Sequence, residues 1–248
     1  MATLPNTRIV QIVSSQNPVS FRSGDIDLGQ VSRVHLKTII LPNTEFNVNS
    51  KTATVLITAS DMVGSVIVPQ GQYDITAYLT ALKVQLDAVS VPNTFTVTQD
   101  PTTFKLIFTK SGGAEFTISP NRASRLTGQH TAKTSLALVL TSDGIPDMSG
   151  MRMVCFQSFT LGKFKMSSSA TSTNITKTVV LGSEPMTAPF GGVLKSEQTE
   201  ETLDSHYFNG YHNCSTFEML LVDENGESLE LNGCEWILSL EMHVRGAT

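Results

Sequence analysis

The chain has 248 residues and a formal charge of −5 at pH 7, and only 16% of its residues are charged. It contains no dense run of Lys or Arg, which argues against a face that binds nucleic acid. No apolar run approaches about 18 residues, so we expect no membrane-spanning helix. Low charge is typical of surfaces that pack against neighbours, because the cores of protein interfaces are depleted in charged residues.

Three cysteines, Cys155, Cys214 and Cys234, are too few and too scattered for a disulfide framework. Their odd number predicts reduced thiols and assembly in a reducing compartment. The N-terminal sequence lacks the basic start and the unbroken apolar core of a secretory signal, so we expect no signal peptide.

Short β-branched runs broken by turn residues dominate the first part of the chain and predict strands. These runs are VSRVHLKTIIL (31–41), TATVLIT (52–58) and SVIVPQ (65–70).

The segment 73–89, YDITAYLTALKVQLDAV, is predicted to be an amphipathic helix with Asp74 as its N-cap. Its apolar side chains recur at steps of three and four residues and form one stripe. They are Ile75, Tyr78, Leu79, Leu82, Leu86 and Val89.

After this helix the pattern returns to strands. Residues 94–99 and 104–110 flank the turn sequence DPTT, and with 114–119 they are predicted to form a three-stranded meander. Residues 120–130 predict a short helical turn that ends at Gly128.

The second half of the chain mixes strands with irregular segments. Strands are predicted at 136–140, 151–161 and 176–182, and the Ser/Thr-rich stretch 162–177 is predicted to be a long loop. Residues 183–215 have no clean period, and such a long connection is usually functional.

The sequence DENG at 223–226 raises the choice between a calcium site and a turn. An EF-hand loop needs its glycine at position six, whereas Gly226 follows Asp223 by only three residues. Alternating apolar runs at 217–221 and 236–243 instead predict the tip of a hairpin, with Trp236 as a core anchor.

The tally predicts an all-β fold: an antiparallel β-sandwich of the single jelly-roll type, with one amphipathic helix in a connection and long loops. We expect residues 1–30 to form an N-terminal arm and 31–248 to form one jelly-roll domain. The stretch 162–175 is a candidate insertion or seam.

Few residues suggest chemistry. His206, His212 and Cys214 are zinc-ligand types, but their spacing matches no common zinc motif, and the favoured alternative is a polar loop packed on the sandwich. The sequence has neither a Gly-x-Ser-x-Gly elbow nor a phosphate-binding loop. Cys155 lies in an apolar run and is predicted to be a structural thiol. We therefore expect no catalytic residue and no cofactor.

Three stretches carry a family resemblance by their order along the chain. They are GQYDITAYLTALKVQL (71–86), the order FTVTQDPTTFKLIF to FTISPNRASRLTGQ, and the ending LLVDENGESLELNGCEWILSLEM. Together they resemble jelly-roll minor capsid (penton) proteins of virophages and polinton-like viruses, over about residues 31–244.

This resemblance implies a structural virion protein without a catalytic residue. Five copies would close each vertex of an icosahedral capsid and contact double jelly-roll major capsid proteins, with a spike or cement protein as a further partner. Assembly would take place inside the host cell. Candidate interface residues are the aromatic side chains of the irregular connection: Phe190, Tyr207, Phe208 and Tyr211.

Two other classes of protein stay open at this point. One is a receptor- or carbohydrate-binding jelly-roll module such as a fibre head. The other is a metal-dependent enzyme built on His206, His212 and Cys214.

Overall fold

A computed structural model describes most of the chain and divides it into two compact units. Unit 1 comprises 1–45 and 151–248, and unit 2 comprises 46–150. The described residues are 6–13, 20–22, 30–62, 65–158, 163–168, 171–176, 179–197, 205–213 and 218–244.

The elements of the described residues are mostly short strands. In chain order they are β1 (Asn6–Val13), β2 (Ser20–Arg22), β3 (Gln30–Pro42), β4 (Thr54–Thr58), β5 (Val66–Ile67), α1 (Ile75–Val89), β6 (Phe95–Gln99), β7 (Leu106–Lys110), β8 (Thr117–Ser119), α2 (Ser124–Thr127), β9 (Lys133–Thr134), β10 (Val139–Thr141), β11 (Met153–Ser158), β12 (Lys163–Ser168), β13 (Thr171–Thr176), β14 (Val179–Pro185), β15 (Val193–Glu197), β16 (Ser205–Asn213), β17 (Glu218–Val222) and β18 (Ile237–Val244).

Unit 1 contains two antiparallel sheets. In the first, sheet A, the strand order is β1-β18-β3-β15. β15 pairs with residues 38–42 of β3, and β16 pairs with residues 30–35 of the same strand. In the second, sheet B, the order is β14-β11-β17-β2. The β12–β13 hairpin is separate from both sheets in its hydrogen bonding.

The path of the chain through these sheets is that of a jelly roll. The strands β1, β2 and β3 lie in sheets A, B and A, and the next two strands of unit 1, β11 and β14, both lie in sheet B. The chain then returns to sheet A for β15 and β16, and it ends with β17 in sheet B and β18 in sheet A. The last strand, β18, lies between β1 and β3. The predicted fold class, all-β with antiparallel sheets of jelly-roll type, is confirmed.

One apolar cluster joins the inner faces of sheets A and B. Alternate residues of β18 are buried because successive side chains of a strand point to opposite faces. Sheet A contributes Leu36, Leu238, Leu240 and Met242, and sheet B contributes Val154, Phe156, Met219 and Leu221. Trp236, the residue before β18, also belongs to the cluster.

Unit 2 is built from two smaller sheets and two helices around its own apolar cluster. Its sheets have the orders β10-β7-β6 and β5-β4-β8-β9. Tyr78, Leu82 and Leu86 of α1 are buried in this cluster, as the apolar stripe predicts.

Both helix boundaries predicted from sequence are confirmed. The Asp74 side chain accepts a hydrogen bond from the backbone N–H of Ala77 at 2.8 Å and caps α1. α2 ends at Gly128, which has the left-handed φ of 67° that favours glycine. At 15 residues α1 is the longer helix, and in the described part of the chain no helix is long and apolar enough to cross a membrane.

The predicted meander over 94–119 is wrong in its third strand. β6 and β7 pair across the DPTT turn as expected, but β10 takes the next position beside β7. β8 pairs instead with β4 and β9. The chain leaves the β10-β7-β6 sheet at 111–114, where Gly113 has a φ of +84°.

Two stretches predicted to be irregular contain strands. Residues 163–168 and 171–176, expected to be part of a long loop, pair as a hairpin over six residue pairs. The connection 183–215 contains β15 and β16, both paired with β3. Polar and Ser/Thr-rich strands lack apolar alternation, so the sequence pattern did not reveal them.

The predicted closing hairpin between 217–221 and 236–243 is also wrong. β17 belongs to sheet B and β18 to sheet A, so the chain crosses from one sheet to the other between them. The turn at 223–226 does reverse the chain, but it returns to pair Val222 with Ser228. The burial of Trp236, which is 2% exposed, agrees with its predicted place in the core.

The expected domain boundaries stay a prediction, and two observations bear on how the chain is organised. The expected single domain over 31–248 contains the unit 2 segment as an insertion between β3 and β11. Of the expected arm over 1–30, residues 6–13 form an edge strand of sheet A and 20–22 an edge strand of sheet B. A role for 1–30 as an arm within an assembly stays a prediction.

Candidate functional site

The aromatic and metal candidates of the 183–215 connection fall on two different elements. Phe190 lies between β14 and β15, and its side chain is 42% exposed. In β16, His206, Tyr207 and His212 are paired by their backbones with Val34, Arg33 and Val31, respectively. Phe208 and Tyr211 also lie in β16. The side chains of β16, and Cys214 as a whole, lie outside the described residues, so these candidates stay predictions.

Three exposed apolar residues belong to β14, β15 and the loop between these strands, and we call them the edge patch. Val180 is 54% exposed, Val193 is 48% exposed, and Phe190 belongs to the loop that joins their strands. β14 and β15 are edge strands of sheets B and A, and a hydrogen bond of 3.2 Å from Ser196 Oγ to Glu184 Oε1 links them. The edge patch thus draws its residues from the chain segment 180–193.

The loop that carries Phe190 is held by Asn43, which is only 6% exposed. The Asn43 N–H donates to Gly192 O at 2.9 Å, and its carbonyl accepts from the Gly191 N–H at 2.7 Å. The Asn43 side-chain amide donates to Ala188 O at 2.7 Å. These three hydrogen bonds hold the loop backbone on both sides of Phe190, which reduces the backbone entropy lost when a partner binds.

Gly191 has the backbone conformation that this loop requires. Its φ of +79° lies in the left-handed region, and no atom lies within 4 Å of an added Cβ. A side chain at this position would therefore strain the backbone without a steric clash.

The acidic turn at 223–226 is organised by its own hydrogen bonds. Asp223 Oδ1 accepts from the N–H groups of Asn225 at 2.9 Å and Glu227 at 2.8 Å. The Gly226 N–H donates to Asp223 O at 3.0 Å, and Gly226 has a φ of +80°. This is the geometry of an Asx turn, in agreement with the structural interpretation of the sequence.

The thiol of Cys155 lies next to this turn and is partly buried. Cys155 is paired across the sheet with Val222, the residue before Asp223. Burial raises the pKa of the Cys155 thiol, and the charges of Asp223 and Glu224 raise this pKa further. Such a thiol is a poor nucleophile, because the thiolate is the reactive form.

A cluster that sequence analysis missed lies on the outer face of sheet A. Glu241 of β18 is paired directly with His35 of β3, and His243 follows two residues later on the same face. One donor atom from each of the three side chains lies within 4.8 Å of the others. The available signal was the alternation Glu-x-His in β18, but His35 is remote in sequence and becomes a neighbour only through the β3–β18 pairing.

Comparison with known proteins gives little similarity. No family model matches the chain, and no curated protein matches it by sequence. Among solved structures, the chain is similar to the penton protein of mavirus, with a TM-score of 0.42 and 14% identity over 96% of this chain and 99% of that one. A TM-score below 0.5 does not establish a shared fold, so this similarity on its own supports neither a fold nor a function.

Proposed function

We propose that this chain is a structural virion protein: a minor capsid or penton protein that forms the five-fold vertices of an icosahedral capsid. It assembles as a homopentamer, contacts double jelly-roll major capsid proteins, and offers a base for a spike or cement protein. The observation that carries this proposal is the strand order of unit 1, because the double-sheet jelly roll is an architecture of viral capsid domains.

The order of the sequence motifs supports the same role. The ending that resembles minor capsid proteins supplies β17, the acidic turn, Trp236 and β18. The low content of charged residues also fits a surface that is largely covered by neighbours.

The edge patch is the contact that we propose for ring closure. A ring of identical subunits needs a heterologous interface, in which one patch meets a different surface of the next copy. Val180 and Val193 offer apolar area on edge strands of the two sheets, and Phe190 offers it on the loop between these strands. The Asn43 hydrogen bonds hold the loop backbone that carries Phe190, which suits an aromatic anchor residue.

Native mass spectrometry of the purified full chain tests the assembly. We expect a species with five times the mass of one chain, and we expect Phe190→Ala to shift the population to single chains. The matched control is Phe104→Ala, which removes an exposed phenylalanine of unit 2 that is 54% exposed. This control is expected to keep the pentamer.

Two results would contradict the proposal. Single chains at every protein concentration would exclude self-assembly into a ring. If Phe190→Ala and Phe104→Ala lose the pentamer equally, the edge patch is not the contact that closes the ring. That result would not contradict the pentamer itself.

A further inference from the structure

Two histidines and a glutamate from β3 and β18 converge on the outer face of sheet A. His35 is 2% exposed, and the side chains of His243 and Glu241 are 24% and 22% exposed. The cluster is thus shielded on the His35 side and open on the other. His35 lies 206 residues from Glu241 and 208 from His243 in sequence, so the pairing of β3 with β18, and not a local motif, brings it to the other two.

The two imidazole rings are spaced like two histidine ligands of one metal ion. Their ring centres are 5.4 Å apart with an interplanar angle of 60°. Zn–N bonds of about 2.0–2.1 Å and a tetrahedral angle place two such ring centres about 5.2 Å apart. The observed spacing of the two ring centres is therefore close to that of two imidazoles on one ion.

The carboxylate of Glu241 uses its two oxygens differently. Oε2 lies 3.0 Å from Lys37 Nζ, whereas Oε1 lies 3.6 Å from His243 Nε2. Lys37 Nζ donates a hydrogen bond to Oε2, while Oε1 is the oxygen nearer to His243. Lys37 then orients the carboxylate in the way that outer partners orient metal ligands.

From this arrangement we infer that His35, Glu241 and His243 form a zinc site on the outer face of sheet A, with a water molecule as the fourth ligand. Two nitrogens and one oxygen are a ligand set that zinc accepts. Donors on one tetrahedral zinc lie about 3.3 Å apart, so side-chain rotations must close the present separation of up to 4.8 Å.

The charges and ligand types of the cluster favour a transition metal over calcium or magnesium. Lys37 already neutralises part of the single carboxylate, and Arg33 is paired with His243 on the neighbouring strand. Calcium and magnesium need several oxygen ligands with net negative charge, whereas the described residues of this cluster offer one carboxylate. Imidazole nitrogens instead favour zinc and similar transition metals.

Calorimetric titration of the chelator-treated full chain with ZnCl₂ tests the inference. We expect one equivalent of zinc to bind and to raise the thermal unfolding temperature. His243→Gln is expected to lower the zinc affinity by more than about 100-fold, because losing a ligand costs more than the 10–100-fold cost of losing an outer partner.

Two matched variants separate this site from other histidines. His130→Gln changes a histidine of unit 2, and His212→Gln changes a candidate of β16. Both are expected to bind zinc as the unmodified chain does. Substitution of cobalt for zinc should give a visible spectrum without a thiolate charge-transfer band, which excludes Cys214 as a ligand.

The inference fails if the unmodified chain takes up no zinc, or if His243→Gln binds it as tightly as the unmodified chain does. It also fails if His212→Gln loses the metal while His243→Gln keeps it. Far-UV circular dichroism without zinc checks that His243→Gln folds, and Glu241→Gln serves as the second variant. The result is independent of the pentamer, because the mass measurement above is made without added metal.

Discussion

Lys110 and Asp61 form an ion pair that fixes the end of β7 in unit 2. Lys110 Nζ lies 2.5 Å and 2.7 Å from the two carboxylate oxygens of Asp61, and the Lys110 side chain is 0% exposed. Asp61 Oδ2 also accepts from the Ala114 N–H at 3.0 Å. The pair thus holds the turn at which the chain leaves the β6–β7 hairpin.

Loss of the ammonium group should destabilise the protein. We expect Lys110→Met to lower the free energy of unfolding by about 1.5–3 kcal/mol, the typical net value of hydrogen bonds to charged groups. Urea unfolding followed by circular dichroism measures this change.

The matched control for that experiment is Lys83→Met. Lys83 pairs with Asp87 on the surface of α1, and its side chain is 44% exposed. Exposed helix pairs contribute about 0.3–0.5 kcal/mol, so this variant should unfold close to the unmodified chain. If the two variants unfold at the same urea concentration, the Lys110 pair has no special role.

The same ion pair predicts sensitivity to acid. The hydrogen bond from Lys110, followed by that from the Ala114 N–H, lowers the pKa of Asp61 from its ordinary value of 3.8. Because the folded pKa lies below the unfolded one, the contribution to stability is present above the ordinary value and is lost as the pH falls through the folded pKa.

We therefore expect the urea midpoint to change little from about pH 7 to pH 5 and to fall below about pH 4. The fall should be shallower in Lys110→Met, in which Asp61 has lost the main cause of its lowered pKa. Parallel pH profiles for the two proteins would show that other carboxyls, such as Asp100 and Asp143, account for the acid sensitivity.

Trp236 should be a major contributor to the stability of unit 1. It is 2% exposed and belongs to the apolar cluster between sheets A and B. We expect Trp236→Ala to lower the free energy of unfolding by about 3–5 kcal/mol, through lost burial and the cavity left behind. Circular dichroism is the suitable probe, because the variant removes the only tryptophan.

Phe190→Ala is the informative comparison for that variant. Phe190 is exposed, so we expect its loss to change the stability of the single chain by less than about 0.5 kcal/mol. A near-neutral Trp236→Ala would contradict the position of Trp236 in the core.

The acidic turn gives a prediction about backbone conformation. Gly226 has a φ of +80°, and no atom lies within 4 Å of an added Cβ. Gly226→Ala should therefore cost only the left-handed backbone strain, about 1–2 kcal/mol.

Gly226→Asn is the control, because asparagine tolerates the left-handed region better than alanine. Its loss of stability in urea should be smaller than that of Gly226→Ala. An alanine variant as stable as the unmodified chain would show that the turn adopts another conformation in solution.

Local features of this fold could be predicted from the sequence, whereas pairings between distant segments could not. The stripe from Ile75 to Val89 and the cap at Asp74 depend on residues within one turn of each other, and both were predicted correctly. β17 and β18 were recognised as strands, but alternation does not specify a partner, and they lie in different sheets.

The candidate sites follow the same division. Phe190 was named as an interface candidate because an aromatic residue in an irregular connection is visible in the sequence, and its role there stays a prediction. The proposed zinc ligands were missed, because His35 and Glu241 become neighbours only when β3 and β18 pair. The sequence pattern does not mark 46–150 as a compact unit of its own, because the strands at both of its ends look like continuous β sequence.

The central position of β18 in sheet A affects how the protein is made. Its partners β1 and β3 leave the ribosome some 200 residues earlier. For example, Lys37 of β3 and Glu241 of β18 are 204 positions apart in sequence. Unit 2 is continuous over 46–150 and can fold while synthesis continues, whereas sheet A waits for the last strand. Pairings of such high contact order fold slowly, so subunits with a complete sheet A become available for assembly only after translation of β18.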